Sequence, residues 1–175
     1  MFVVITAPHG YCPSPCSQQR QCDCVAALWA SKLNKKLQEA GVASTLLIPL
    51  TPRSEGDFNR SWTRDSPYRQ QLTKAMETAW LVLDIHSYPP PHWENYNAIV
   101  LDDRWPPPQS LLQFSAATGI SADVRGQGND IQDEAHGRGI EAFLIEFNEQ
   151  GDITKQNEMI DKIVGWVKQQ KRNVY

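Results

Sequence analysis

Short apolar runs rich in β-branched residues alternate with segments of helical periodicity along this chain. That alternation is the feature that most restricts what it can fold into, because strands separated by amphipathic helices favour an α/β fold with a mostly parallel sheet. Residues 2–7 form the first apolar run. Residues 24–40 then carry Val25, Leu28, Trp29, Leu33 and Leu37 at helical spacing, with Gly41 as the stop signal. The spacing predicts further strands over 42–50, 80–85, 98–101 and 140–147. It predicts helices from Pro67 to about Thr78, over 109–118 and over 154–171, with Ser66 as the cap of the first and Gly119 closing the second. The polar, glycine-rich stretch 121–139 offers one helical turn around 130–136.

Size and charge narrow the function classes. The 175 residues suit a single domain over 1–175. With 17 Lys+Arg against 20 Asp+Glu, the chain lacks the basic excess of a dedicated nucleic-acid binder. No apolar run approaches the roughly 20 residues of a membrane span, and the N-terminal residues read as a strand rather than a signal peptide. The expectation is a cytoplasmic protein with no nucleic-acid or membrane partner.

All four cysteines, Cys12, Cys16, Cys22 and Cys24, fall within thirteen residues. Their gaps fit a structural zinc site poorly and do not staple distant segments, so free thiols in a reducing compartment is the favoured reading. A cysteine-only metal site and a disulfide are the alternatives.

In an open α/β sheet, ligands bind beyond the carboxyl ends of the strands. The first strand is followed by Pro8-His9-Gly10, the 80–85 strand runs into Asp84-Ile85-His86-Ser87, and the 140–147 strand ends at Glu146-Phe147-Asn148. Two of the four histidines and a carboxylate therefore arrive at one sheet edge if these strands are parallel neighbours. A catalytic zinc takes three protein ligands and keeps one position open. Asp23, at the start of the first helix, is the candidate third ligand, with Cys22 and Cys24 as alternatives. Glu141 sits at the wrong end of its strand, and His92 and His136 read as surface or substrate-contacting residues. Arg60, Arg64 and Arg69 cluster in the 57–69 segment, where a guanidinium beside a metal would suit an anionic substrate. The proline-flanked Trp93 and Trp105 read as packing a stiff loop on the core, with walling the pocket mouth as the alternative.

The ordered set His9, Asp23, Asn59-Arg60, Arg64-Asp65, Asp84-Ile85-His86-Ser87 and Glu146 resembles the N-formylglutamate amidohydrolase family, and through it the zinc carboxypeptidase and aspartoacylase group. The resemblance spans roughly the whole chain, although the H-x-x-E pair of the carboxypeptidases is absent. It implies a phosphorylase/hydrolase-like three-layer α/β sandwich with a mixed sheet. It also implies Zn2+ bound by His9, Asp23 and His86, with Glu146 as the general base. Asn59, Arg60 and Arg64 would hold a substrate carboxylate or the developing oxyanion, Arg64 thereby acting in catalysis, and Asp84 would support His86. The implied reaction is hydrolysis of the C–N bond of a small anionic N-acyl amino acid or peptide. An inactive relative that binds a carboxylated ligand is the second reading, and a protein working through its cysteine loop the third.

Overall fold

The computed structural model describes residues 2–12, 22–89, 95–102, 104–124 and 129–173. Six strands form one sheet in the order β2-β1-β3-β6-β4-β5. These are β1 (Phe2–Thr6), β2 (Ser44–Leu47), β3 (Ala79–Tyr88), β4 (Ala98–Asp102), β5 (Ser121–Val124) and β6 (Glu141–Asn148). Strands β1, β2, β3 and β6 are mutually parallel, whereas β4 runs antiparallel to β6 and carries β5 alongside it in parallel. The mixed, mostly parallel sheet is the expected one.

Among the described residues five α-helices cover both faces, giving three layers. Helices α1 (Ala26–Glu39), α3 (Gln109–Thr118) and α5 (Ile153–Asn173) pack on the face bearing Val3, Ile5, Leu81, Leu83, Ile85, Phe143 and Ile145. Helices α2 (Pro67–Met76) and α4 (Asp130–Gly137) cover the opposite face, with Val4, Val82 and Ala142. Period-two alternation along β3 and β6 thus assigns each side chain to a layer. Val82, Asp84 and His86 belong to the α2/α4 face, and so do Ala142 and Glu146.

Local chemistry sets the helix ends. The Ser66 hydroxyl accepts from the Arg69 amide at 3.3 Å and Pro67 occupies the first turn, as the sequence predicts. Gly119 ends α3 at φ 73°, the left-handed conformation that glycine adopts without cost. In α1, Trp29, Leu33 and Leu37 are buried, but Leu28 is 57% exposed because it lies on the helix's outer face.

Three features depart from the sequence expectation. β3 continues through His86, Ser87 and Tyr88, so these residues sit in the ladder with β6 rather than in a loop. β5, hidden in a polar stretch, pairs with β4 at the sheet edge, where two-sided apolarity is not required. Trp105 is 81% exposed rather than packed on the core. Because β4 is reversed, the segment following it emerges at the end of the sheet where β6 begins. There Arg104 bridges Asp102 and Glu141 at 2.6 and 2.9 Å.

Candidate metal centre

Parallel pairing of β1, β3 and β6 delivers their carboxyl ends to one edge. His9 leaves β1 there, and its backbone carbonyl accepts from the Asp23 amide at 3.0 Å, which draws the start of α1 back over the strand end. His86 and Glu146 are register partners on adjacent strands, so their side chains project side by side on one face.

The side-chain atoms of His9, Asp23 and His86 converge. His86 Nδ1 lies 2.7 Å and His9 Nδ1 3.4 Å from Asp23 Oδ2, and all three residues are buried. The outer ring nitrogens face carboxylates in turn. His9 Nε2 is 2.8 Å from Asp57 Oδ1, and His86 Nε2 is 3.3 Å from Asp84 Oδ1 and 3.0 Å from the amide nitrogen of Asn59. A carboxylate behind an imidazole fixes its orientation and raises its basicity, the usual support of a metal-ligating histidine. Asp84 is held by the amide of Asn129 at 2.6 Å.

Two observations show that this group fits a cation. His9 Nδ1 is buried without a hydrogen-bond partner, leaving a nitrogen aimed at Asp23 that a metal would satisfy. The electrostatics agree. Burial acts against the charged form of His86, yet Asp84 and Asp23 outweigh it and push the imidazole pKa well above its ordinary value. Burial also opposes ionisation of Asp23, and the hydrogen bond from His86 together with the nearby imidazole of His9 overcomes it, holding the carboxyl well below the usual range. The pocket therefore stabilises positive charge at its centre. Imidazole nitrogen and carboxylate oxygen are donors suited to zinc.

Glu146 behaves differently. Burial pushes its carboxyl up to about 7; the positive charge of His86 opposes this, and the negative charges of Asp23 and Asp84 add to it. A carboxyl group poised near neutrality is what general acid–base chemistry uses.

The arginines form a partial rim. Arg60 Nε lies 3.6 Å from Asp57 Oδ2. Arg64 is over half exposed and faces Asp130 at 3.5 Å, the backbone of Asp130 being joined to that of Asn59. Asn59 itself turns to His86. Arg69 is wholly buried, donates to the Phe58 carbonyl and pairs with Glu134, so it braces the loop rather than facing solvent.

Two contributors escaped the sequence reading. Asp57 carries His9, and its signal is the Asp-x-Asn-Arg spacing 57–60. Arg53 reaches Asp57 at 3.3 Å and Asp23 at 4.0 Å. It follows β2, the neighbour of β1, and so belongs to the same edge.

The cysteines correct the free-thiol expectation. Cys12 and Cys22 are joined by a disulfide, Cys24 is disulfide-bonded too, and there is no free cysteine among the described residues. Sequence gaps that suit no metal still permit the Cα–Cα separation of 5.5 Å between Cys12 and Cys22. Oxidised sulfurs are not thiolates, which leaves Asp23 as the candidate third ligand over Cys22 and Cys24. Cys16, His92 and Trp93 lie outside the described residues. His136, expected as a surface or substrate-contacting residue, buries its Nε2 near Asp102 and Glu141, a second His–carboxylate cluster whose two carboxylates are taken by Arg104.

No family model matches the sequence, and no curated protein matches it. Solved structures do. N-formylglutamate amidohydrolase from Ralstonia eutropha superposes with a TM-score of 0.68 at 16% identity, covering 98% of this chain and 94% of that one. The catalytic domain of an N-acetylmuramoyl-L-alanine amidase from Bacillus (Paenibacillus) polymyxa gives 0.57 at 16% identity, covering 98% of both chains. Succinylglutamate desuccinylase from Chromobacterium violaceum gives 0.54 at 14% identity, covering 94% of this chain and 62% of that one. The fold implied by the sequence resemblance is thus the fold found.

Proposed function

We propose that the chain is a zinc-dependent amide hydrolase of the N-formylglutamate amidohydrolase kind, acting on a small anionic N-acyl amino acid or peptide. The observation that carries this reading is the convergence of His9, Asp23 and His86 beside Glu146 at one strand edge. The amide-hydrolysing names of the proteins that share the fold support it.

In this reading His9 Nδ1, Asp23 and His86 Nδ1 hold the ion, while Asp57, Asp84 and Asn59 orient the imidazoles from behind. Zinc held by these residues would supply Lewis acidity to the scissile carbonyl and the attacking water. Glu146 takes a proton from the attacking water and delivers it to the departing amine nitrogen. Its carboxyl, raised to about 7, suits both directions of transfer. Arg60 and Arg64 hold the substrate carboxylate or the developing oxyanion. Disulfides persist in oxidising compartments, so the Cys12–Cys22 bond favours such a compartment over the cytoplasmic setting expected from composition. Among the described residues no helix is long and apolar enough to cross a membrane.

The test measures zinc per chain and amine release from a panel of N-acyl amino acids. One zinc in the wild type and none in a His9→Ala/His86→Ala variant is expected. Glu146→Gln should keep its zinc and lose about 10²- to 10⁴-fold in kcat. Zinc bound without hydrolysis of any panel member would favour the ligand-binding reading instead. Zinc retained by the double variant would overturn the assignment of the site.

A further inference from the structure

We infer that Glu149 is a positioning residue, a carboxylate that fixes the spacing between the segments carrying Asp23, His86 and Glu146. This inference rests on the metal reading of the site.

Helix α1 begins without help of its own. Its cap residue, Val25, has no side chain to accept a hydrogen bond, and its first turn contains no acidic residue. The first amides of a helix need acceptors and favour negative charge. Glu149, just past the end of β6, supplies both. Its Oε1 accepts from the Cys24 amide at 3.0 Å and from the Ser87 hydroxyl at 2.9 Å. Ser87 Oγ in turn accepts from the Val25 amide at 3.4 Å. The Glu149 amide donates to the Tyr88 carbonyl at 3.0 Å, which locks its own backbone to β3.

Sequence adjacency gives this network its significance. Cys24 directly follows Asp23, Ser87 directly follows His86, and Glu149 lies three residues beyond Glu146. One oxygen atom therefore ties the backbone beside Asp23 to the side chain beside His86, while the strand just before it carries the candidate base. The Asp23–His86 approach of 2.7 Å depends on how the start of α1 sits against β3, and Glu149 and Ser87 are the side chains that bridge the two. Ser87 points to the α1 face and His86 to the other, so the brace works from behind the strand without entering the pocket.

The experiment is a Zn2+ titration against a competing chromophoric chelator, with thermal unfolding of each ion-free variant alongside. Outer-shell partners of metal ligands typically contribute about 10- to 100-fold in affinity, and a loss in that range is expected for Glu149→Ala. Glu149→Gln keeps an oxygen that accepts both bonds and should restore most of the affinity. Ser87→Ala removes one arm of the network and should fall between, which keeps the test available if Glu149→Ala does not fold. Ile163→Val, a core change in α5, reports what lost stability alone does to zinc affinity and should leave it unchanged. A wild-type Kd in Glu149→Ala, or a Glu149→Gln variant as weak as Glu149→Ala, overturns the role of Glu149 while leaving the metal site standing. A wild-type chain that binds no zinc overturns the metal reading itself.

Discussion

Replacing Arg69 by Met should destabilise the fold by about 2–3 kcal/mol, a figure built from the contacts of one wholly buried guanidinium. Nη2 pairs with Glu134 at 2.8 Å, and Nη1 donates to the Phe58 carbonyl at 2.8 Å. Losing a hydrogen bond to a charged group costs about 1.5–3 kcal/mol, and a buried carbonyl left without a donor costs about 1–3 kcal/mol more. Two features reduce the sum. Arg69 Nε is itself buried without a partner, so its removal relieves an existing penalty. Glu134 also keeps Thr73 Oγ1 at 2.6 Å and Arg138 at 3.1 Å. Methionine fills much of the vacated volume without a polar atom. With urea m-values of about 1–3 kcal/mol/M, the midpoint should drop by about 1 M or more with m unchanged. A double-mutant cycle with Glu134→Gln should show coupling of about 1 kcal/mol or more. A loss below about 0.5 kcal/mol, the range of ordinary surface substitutions, would refute the claim that Arg69 braces the 57–60 loop.

The same Glu134 carries a pH signature. Burial raises its carboxyl pKa, but the bonds from Thr73 and Arg69 outweigh that and hold it below its ordinary value. A folded pKa below the unfolded one, about 4.3, contributes stability that is complete well above that pH and lost as the pH falls through the folded value. Urea midpoints of the wild type should therefore fall more steeply below pH 4.3 than those of Glu134→Gln, and parallel slopes would contradict the pairing. Asp57→Asn, which weakens the support behind His9, should cost about 10- to 100-fold in zinc affinity by equilibrium competition, whereas an unchanged Kd would show that His9 needs no such partner. Cys12→Ser/Cys22→Ser opens a loop of sequence separation 10. Chain entropy gives about 3 kcal/mol for closing such a loop, so a calorimetric loss well below 1 kcal/mol would mean that the bond adds little to the fold.

Much of the fold was legible because its signals are local. Ser66-Pro67, Gly119 and the apolar stripe of α5 each carry a physical reason for their structure within a few residues. The candidate site's place at one sheet edge was legible where strand ends announced it, at His9, His86 and Glu146. What stayed hidden depends on partners far along the chain. β5 is a strand only because β4 accepts it, and β3 runs on through His86 because β6 matches it residue for residue. Asp57 lies 48 residues from His9, and no periodicity links them. Trp105 was misplaced because nothing in the sequence told which way β4 runs. The cysteines misled because gaps judged against a metal template say little about whether Cys12 and Cys22 meet in space.

The strand order also constrains how the molecule is made. Of the six described strands β6 is synthesised last, yet it lies between β3 and β4, near the middle of the sheet. Until residues 141–148 leave the ribosome, the nascent chain holds two separate ribbons, β2-β1-β3 and β4-β5, each with an open edge facing the gap. His9, Asp23 and His86 are all synthesised by then, but Glu146 and Glu149 are not. The candidate ligands thus precede the candidate base, and the exposed edges of β3 and β4 form the interval in which the young chain is open to misassociation or to chaperone capture.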